Sequence, residues 1–160
     1  MEEPRPLLLE RALAVALRAH KGQTDRAGLP YITHPLRMMA RTSDPDEQVV
    51  AVLHDVVEDG LENGVTMATL VEEGFPERII AAVDALTRRL RSIRPDRDAD
   101  EAYDDFVERS AANPLARRVK LLDLRDNMDL SRLPEVHAAD FERLGRYVRA
   151  WHRLSDCTIL

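Results

Sequence analysis

Val49-Val50-Ala51-Val52-Leu53-His54-Asp55-Val56-Val57-Glu58-Asp59 packs seven apolar residues and four ionisable ones into eleven positions. Asp44-Pro45 just upstream is a capping carboxylate followed by proline at a first helical position, so the stretch predicts a helix running from there to about Glu58. At ~100° per residue, Val49, Val50, Val52, Leu53, Val56 and Val57 cover one broad sector. His54, Asp55, Glu58 and Asp59 share the rest with only Ala51 among them, His54 stacking over Glu58 and Asp55 over Asp59. A largely apolar helix is expected to be buried, and buried charges need partners. Three carboxylates and an imidazole on one stripe repel each other and lose solvation, and a divalent cation relieves both costs. The competing reading is a stripe that faces water, but such stripes usually mix lysine and arginine with the acids, and this one has none.

Working outward, three-to-four spacing predicts a first helix over residues 5–22, through Leu8, Leu9, Ala12, Leu13 and Leu17. A second is expected from Thr33 to Thr42. Thr66 caps a short helix that Gly74 ends, and Pro76 opens another through Ile79, Ile80, Val83 and Leu86. Arg88 to Asp100, charged and holding Pro95, reads as a loop. Helices follow over Asp100–Ala112, from Pro114 to about Met128, and from Ala139 to Leu154, the last with Phe141, Leu144, Val148 and Trp151 on one face expected to pack inward. No strand is convincing, and six glycines with 4% aromatics speak against a sandwich or barrel. The expected fold is all-α, a compact bundle of about seven or eight helices in a single domain over residues 1–160.

A net charge of −6 makes a nucleic-acid polymer a poor partner. An acidic protein can still bind a small anion through local cations or a metal. The single cysteine, Cys157, can form neither an internal disulfide nor a cysteine-rich zinc site. With no signal peptide visible in MEEPRP and no apolar run of ~20 residues, a cytoplasmic protein away from membranes is expected. Homo-oligomerisation stays open.

Two further segments bear on the metal. His34, in Tyr31-Ile32-Thr33-His34-Pro35, stands at the start of a helix. Lys120, Asp123 and Asn127 share one helical face by i, i+3 and i+4 spacing, with Asp123 late in its helix, where the dipole disfavours an acid. Two histidines and two carboxylates form an oxygen- and nitrogen-rich set that suits Mn2+, with Fe2+, Zn2+ or Mg2+ as alternatives.

The order Ala19-His20-Lys21-Gly22-Gln23, Gly28-Leu29-Pro30-Tyr31-Ile32-Thr33-His34-Pro35, His54-Asp55-Val56-Val57-Glu58-Asp59 and Lys120-Leu121-Leu122-Asp123 with Asn127 resembles the hydrolase domain of the RelA/SpoT proteins. In size the chain is most similar to the small alarmone hydrolases. The resemblance, over residues 8–130, implies an HD domain that removes the 3′-pyrophosphate of ppGpp or pppGpp with Mn2+. It implies metal ligands at His34, His54, Asp55 and Asp123, an acidic pair Glu58 and Asp59 acting on the attacking water, and Asn127 near the ribose. Arg26 and Lys120 are candidate substrate-binding cations. Lys21 and Arg125 are weaker ones that read equally as surface residues, and His20 reads as a hydrogen-bonded support of the site.

The chain departs from the family where Thr24-Asp25-Arg26-Ala27 keeps one basic residue, and where Leu124 displaces the arginine to Arg125. Substrate identity is therefore less determined than reaction type. Rivals are a phosphohydrolase of another nucleotide such as NADPH, a non-catalytic nucleotide sensor, and an interaction protein assembling through its last helix.

Overall fold

A computed structural model describes residues 5–156, with side chains from residue 7. The expectations placed on Cys157 and on residues 1–4 lie outside the described residues. Nine α-helices follow in order among these: α1 (Arg5–Ala19), α2 (Thr33–Met39), α3 (Pro45–Leu53), α4 (Val56–Asp59), α5 (Met67–Glu72), α6 (Glu77–Leu86), α7 (Tyr103–Ala111), α8 (Pro114–Asn127) and α9 (Ala138–Asp156). Short 3-10 turns occupy Leu61–Asn63 and Leu130–Arg132. Extended pairing among the described residues is confined to a single antiparallel bridge between Thr24 and Pro30. The fold is all-α, and no described helix is long and apolar enough to cross a membrane.

The helix starts follow from local chemistry. Asp44 accepts from the backbone N–H groups of Asp46 and Glu47, both at 3.0 Å, ahead of Pro45. Thr66 and Thr69 form a reciprocal capping box on α5, and Gly74 leaves that helix at φ +77°, a conformation that favours glycine. Asn113 accepts from Leu115 and Ala116 at the head of α8.

Helix α3 is the axis of the molecule. Val49 to Leu53 are all buried, and α1, α2, α6 and α8 pack around them. The predicted helix to Glu58 is, however, broken at its functional pair. Asp55 leaves helical geometry at φ −126°, ψ 9°, and α4 starts afresh at Val56. Past the break the chain is tightly packed at Gly60, where a Cβ would strike the Val56 carbonyl and stand 2.8 Å from the Ala19 Cβ and 3.1 Å from the Val65 Cβ. Helix α4 packs on α1, and Val56 and Val57 are buried. The Asp59 N–H still donates to the Asp55 carbonyl at 2.9 Å across this turn. Other predicted ends shift: the first helix stops at Ala19, the second at Met39, and α7 starts at Tyr103.

Two apolar clusters form. The larger joins α1 to α6 with Ala116 and Val119 of α8. The smaller centres on Val107, Leu124, Ala150 and Leu154, with Tyr103, Tyr147 and Trp151 half-buried against it. Half of the stripe predicted to pack inward on α9 is corrected here: Phe141 is 61% and Val148 40% exposed, while Leu144 is half-buried and Trp151 packs against the smaller cluster. Tyr147, Ala150, Trp151 and Leu154 form a second i, i+3, i+4, i+7 series on the same helix, and that face meets α7 and α8.

Candidate metal centre and its cavity

Between the two clusters lies a cavity of about 390 Å3, and all nine expected site residues, Arg26, His34, His54, Asp55, Glu58, Asp59, Lys120, Asp123 and Asn127, line it. Lys21 and Arg125 do not; both are exposed.

His34 from α2, His54 from the end of α3 and Asp123 from α8 are buried and bring one ligand atom each within 4.8 Å of one another. His34 Nε2 lies 3.2 Å and His54 Nε2 3.8 Å from Asp123 Oδ1. The remaining ring nitrogens are occupied. His34 Nδ1 pairs with Asp126 Oδ2 at 2.7 Å, and His54 Nδ1 with the Ala51 carbonyl at 2.9 Å. That leaves both Nε2 atoms for the centre, the orientation that outer hydrogen bonds give to metal-binding histidines. Asp55 borders the group, its Oδ2 3.3 Å from His54 Nε2 and accepting a short hydrogen bond from the Tyr31 hydroxyl. Its Oδ1 lies 3.2 Å from His20 Nε2 without the alignment of a hydrogen bond. His20 is held in turn by Gln23 at 2.9 Å, which supports its reading as a structural histidine.

The electrostatics show how strongly the centre demands positive charge. Burial alone would raise the Asp123 and Asp55 carboxyls, yet both lie well below the usual carboxylate range. Lys120, His34 and His54 hold down Asp123, and His54 and His20 hold down Asp55. Burial opposes charge on His34 too, but its bonds to Asp123 and Asp126 win and raise it to about 9. A donor set of two imidazoles and buried carboxylates that holds a proton this tightly fits a divalent cation.

Glu58 is half-buried and its carboxyl is pushed up to about 7, chiefly by burial, against the pull of the Arg88 backbone N–H that donates to it at 2.9 Å. Asp59 is exposed, unlike the buried stripe expected. Lys120 donates to Asp123 Oδ2 at 2.7 Å and lies 4.7 Å from the Phe106 ring centroid, while Asn127 donates to Asp123 Oδ1 at 2.5 Å. Both expected substrate contacts are thus engaged with Asp123. Arg26 is exposed on the loop closed by the Thr24–Pro30 bridge. Asp25, beside it, accepts through Oδ1 from the backbone N–H groups of Ala27 and Leu29, both at 2.9 Å, and its Oδ2 lies 3.8 Å from an Arg132 Nη.

Sequence reasoning missed Asp126, Arg37, Arg88 and Arg132. Arg37, Arg88 and Arg132 line the cavity. The available signal was charge balance: α2 and its C-terminal flank carry Arg37 and Arg41 with no acid of their own between Thr33 and Thr42.

A helical bundle that gathers a His-Asp pair from a helix break with a histidine and an aspartate from two other helices, beneath a rim of arginines, has the make-up of an HD-type domain. No family model matches the chain. It is 34% identical over 137 residues, 82% of its length, to a probable GTP pyrophosphokinase of Mycobacterium leprae. It is 30% identical over 125 residues, 76% of its length, to a guanosine-3′,5′-bis(diphosphate) 3′-pyrophosphohydrolase of Aquifex aeolicus. Over 55 residues it is 44% identical to the bifunctional (p)ppGpp synthase/hydrolase SpoT of Escherichia coli, covering 32% of this chain and 8% of that protein. The chain spans about a sixth of the length of the first two, 17% in each. It is a relative of the RelA/SpoT proteins and fits an HD hydrolase of that family.

Proposed function

We propose that the protein is a Mn2+-dependent hydrolase that removes the 3′-pyrophosphate of ppGpp or pppGpp, giving GDP or GTP and pyrophosphate. The observation that carries this is one cavity lined by the whole expected residue set, in a chain whose relatives include named 3′-pyrophosphohydrolases. The described residues act as one domain, since residues of both apolar clusters line the cavity, and its nucleotide substrate fits a cytoplasmic protein. His34, His54, Asp55 and Asp123 would hold the ion, and Fe2+, Zn2+ or Mg2+ could take the same donors. When bound, the ion supplies positive charge to the phosphoryl oxygens and acidifies water.

The chain's own groups account for the rest. Glu58, titrating near 7, accepts a proton from the attacking water and is aimed by the Arg88 backbone amide. Asp59, one residue on, helps to place that water. Water attacks the phosphorus next to the ribose, the bond from that phosphorus to the 3′-oxygen breaks, the proton taken up by Glu58 passes to the departing 3′-oxygen of GDP or GTP, and pyrophosphate carrying the water's oxygen is released. Lys120 and Asn127 keep Asp123 in place at the edge of the substrate space, and Arg26 meets the substrate from its loop.

The test is turnover of ppGpp with Mn2+, followed as GDP and pyrophosphate. Wild type should be active, and Glu58→Gln should lose roughly 10²–10⁴-fold in kcat. Glu58→Gln at the wild-type rate would remove the base assignment. Because Arg26 is the one basic residue in Thr24-Asp25-Arg26-Ala27, a second reading keeps the reaction but changes the nucleotide. A panel including NADPH decides between them by kcat/KM.

A further inference from the structure

Asp126 has no exposed surface, yet five donor groups surround its carboxylate. His34 Nδ1 is 2.7 Å from Oδ2. Arg37 donates through Nε at 3.0 Å to Oδ1 and through an Nη at 2.9 Å to Oδ2. Arg41 adds a bond of 2.8 Å to Oδ1, and Arg132 one of 3.2 Å to Oδ2. Three guanidiniums offset the cost of burying this charge, which would otherwise be several kcal/mol on the order of magnitude for a lone ion. An ionised carboxylate only accepts hydrogen bonds. A hydrogen of the His34 ring is therefore on Nδ1, and Nε2 faces Asp123 Oδ1, 3.2 Å away, at the position where a bound cation would replace any hydrogen it carries. His54 reaches the same orientation through a neutral partner, the Ala51 carbonyl. The two ligand histidines thus differ in what stands behind them.

We propose that Asp126 is a positioning residue for the metal centre: it fixes the tautomer and ring orientation of His34 and, through its negative charge, strengthens Nε2 as a donor, so that cation affinity depends on a residue that never touches the ion. This rests on the reading of His34, His54 and Asp123 as ligands. The same carboxylate holds Arg37 and Arg132, both on the cavity wall, so one residue sets a metal ligand and part of the substrate wall together.

The test titrates metal-free protein with Mn2+, reading the free ion by its paramagnetic resonance signal, and records the visible bands of the Co2+ form. Asp126→Asn keeps an acceptor of the same shape and loses the charge. It should weaken Mn2+ binding about 10- to 100-fold and shift the Co2+ bands, with helical circular dichroism as in wild type. Wild type that binds neither ion overturns the ligand reading and this proposal with it. Wild type that binds while Asp126→Asn binds equally overturns only the role of Asp126. If the variant does not fold, a long-range 1H–15N spectrum of the Zn2+-loaded wild type decides instead. The proposal requires His34 with hydrogen on Nδ1 and a metal-shifted Nε2, and coordination through Nδ1 overturns it.

Discussion

The floor of the cavity and its outer wall rest on packing of different quality. Behind His34, His54 and Asp123 stand Met38, Val50, Val52, Leu53 and Val119, none with any exposed surface. The outer wall is α9 with the loop around Arg26, resting on the smaller cluster and leaving Phe141 and Val148 to water. Its link to that loop is the Arg26–Asp140 pair at 3.5 Å, with the Arg26 side chain 63% exposed. Close-packed interiors resist displacement, whereas exposed ion pairs contribute about 0–1 kcal/mol. The molecule holds its ligand atoms firmly and its substrate-facing wall loosely, which is where relatives could change substrate without disturbing the chemistry.

Substitutions at the floor should have the largest effect. Asp123→Ala removes a ligand atom shared by both histidines, and its metal content and ppGpp turnover should fall to background; retained turnover would show that the floor is not the reactive centre. Next comes packing. Leu53→Ala, fully buried behind His54, should cost about 2–5 kcal/mol in denaturant unfolding, while Phe141→Ser on the outer face should stay within about 0.5 kcal/mol. Equal losses would erase the contrast.

A pH series sharpens it further. Glu58 rises from an ordinary 4.5 to about 7, so its contribution to stability is full below 4.5 and is lost as pH climbs through about 7. His34 rises from 6.5 to about 9, so its contribution is full below 6.5 and is lost through about 9. The melting temperature of metal-free protein should therefore fall from about pH 4.5 to about pH 9. Glu58→Gln should flatten the lower part of that fall and saturating Mn2+ the upper part; a flat wild-type curve would contradict both assignments. The smallest change is expected at the wall, where Arg26→Gln should raise KM severalfold with kcat nearly unchanged, measured by steady-state kinetics.

The apolar run of α3, the Asp44 and Thr66 caps and the Gly74 stop were legible because each is written in neighbouring residues. The nine positions singled out by motif order line one cavity. The break at His54–Asp55 was not legible, because nothing local disfavours a helix there. Asp126 was hidden for a similar reason, since its partners come from α2 and from the turn after α8. On α9 two apolar series overlap, and only the position of α7 and α8 selects the one through Leu154.

Gly60 gives the proposed water-activating acid its reach. Glu58 stands on a single helical turn whose far end is seated against α1 by the lack of a side chain, with Gln23 donating to the Asp59 carbonyl at 2.7 Å beside it. One added methyl would act as a shim, lifting that turn while leaving every ionisable group in the sequence intact. A chain with a full complement of reactive residues could thus be silenced from a position that carries no chemistry.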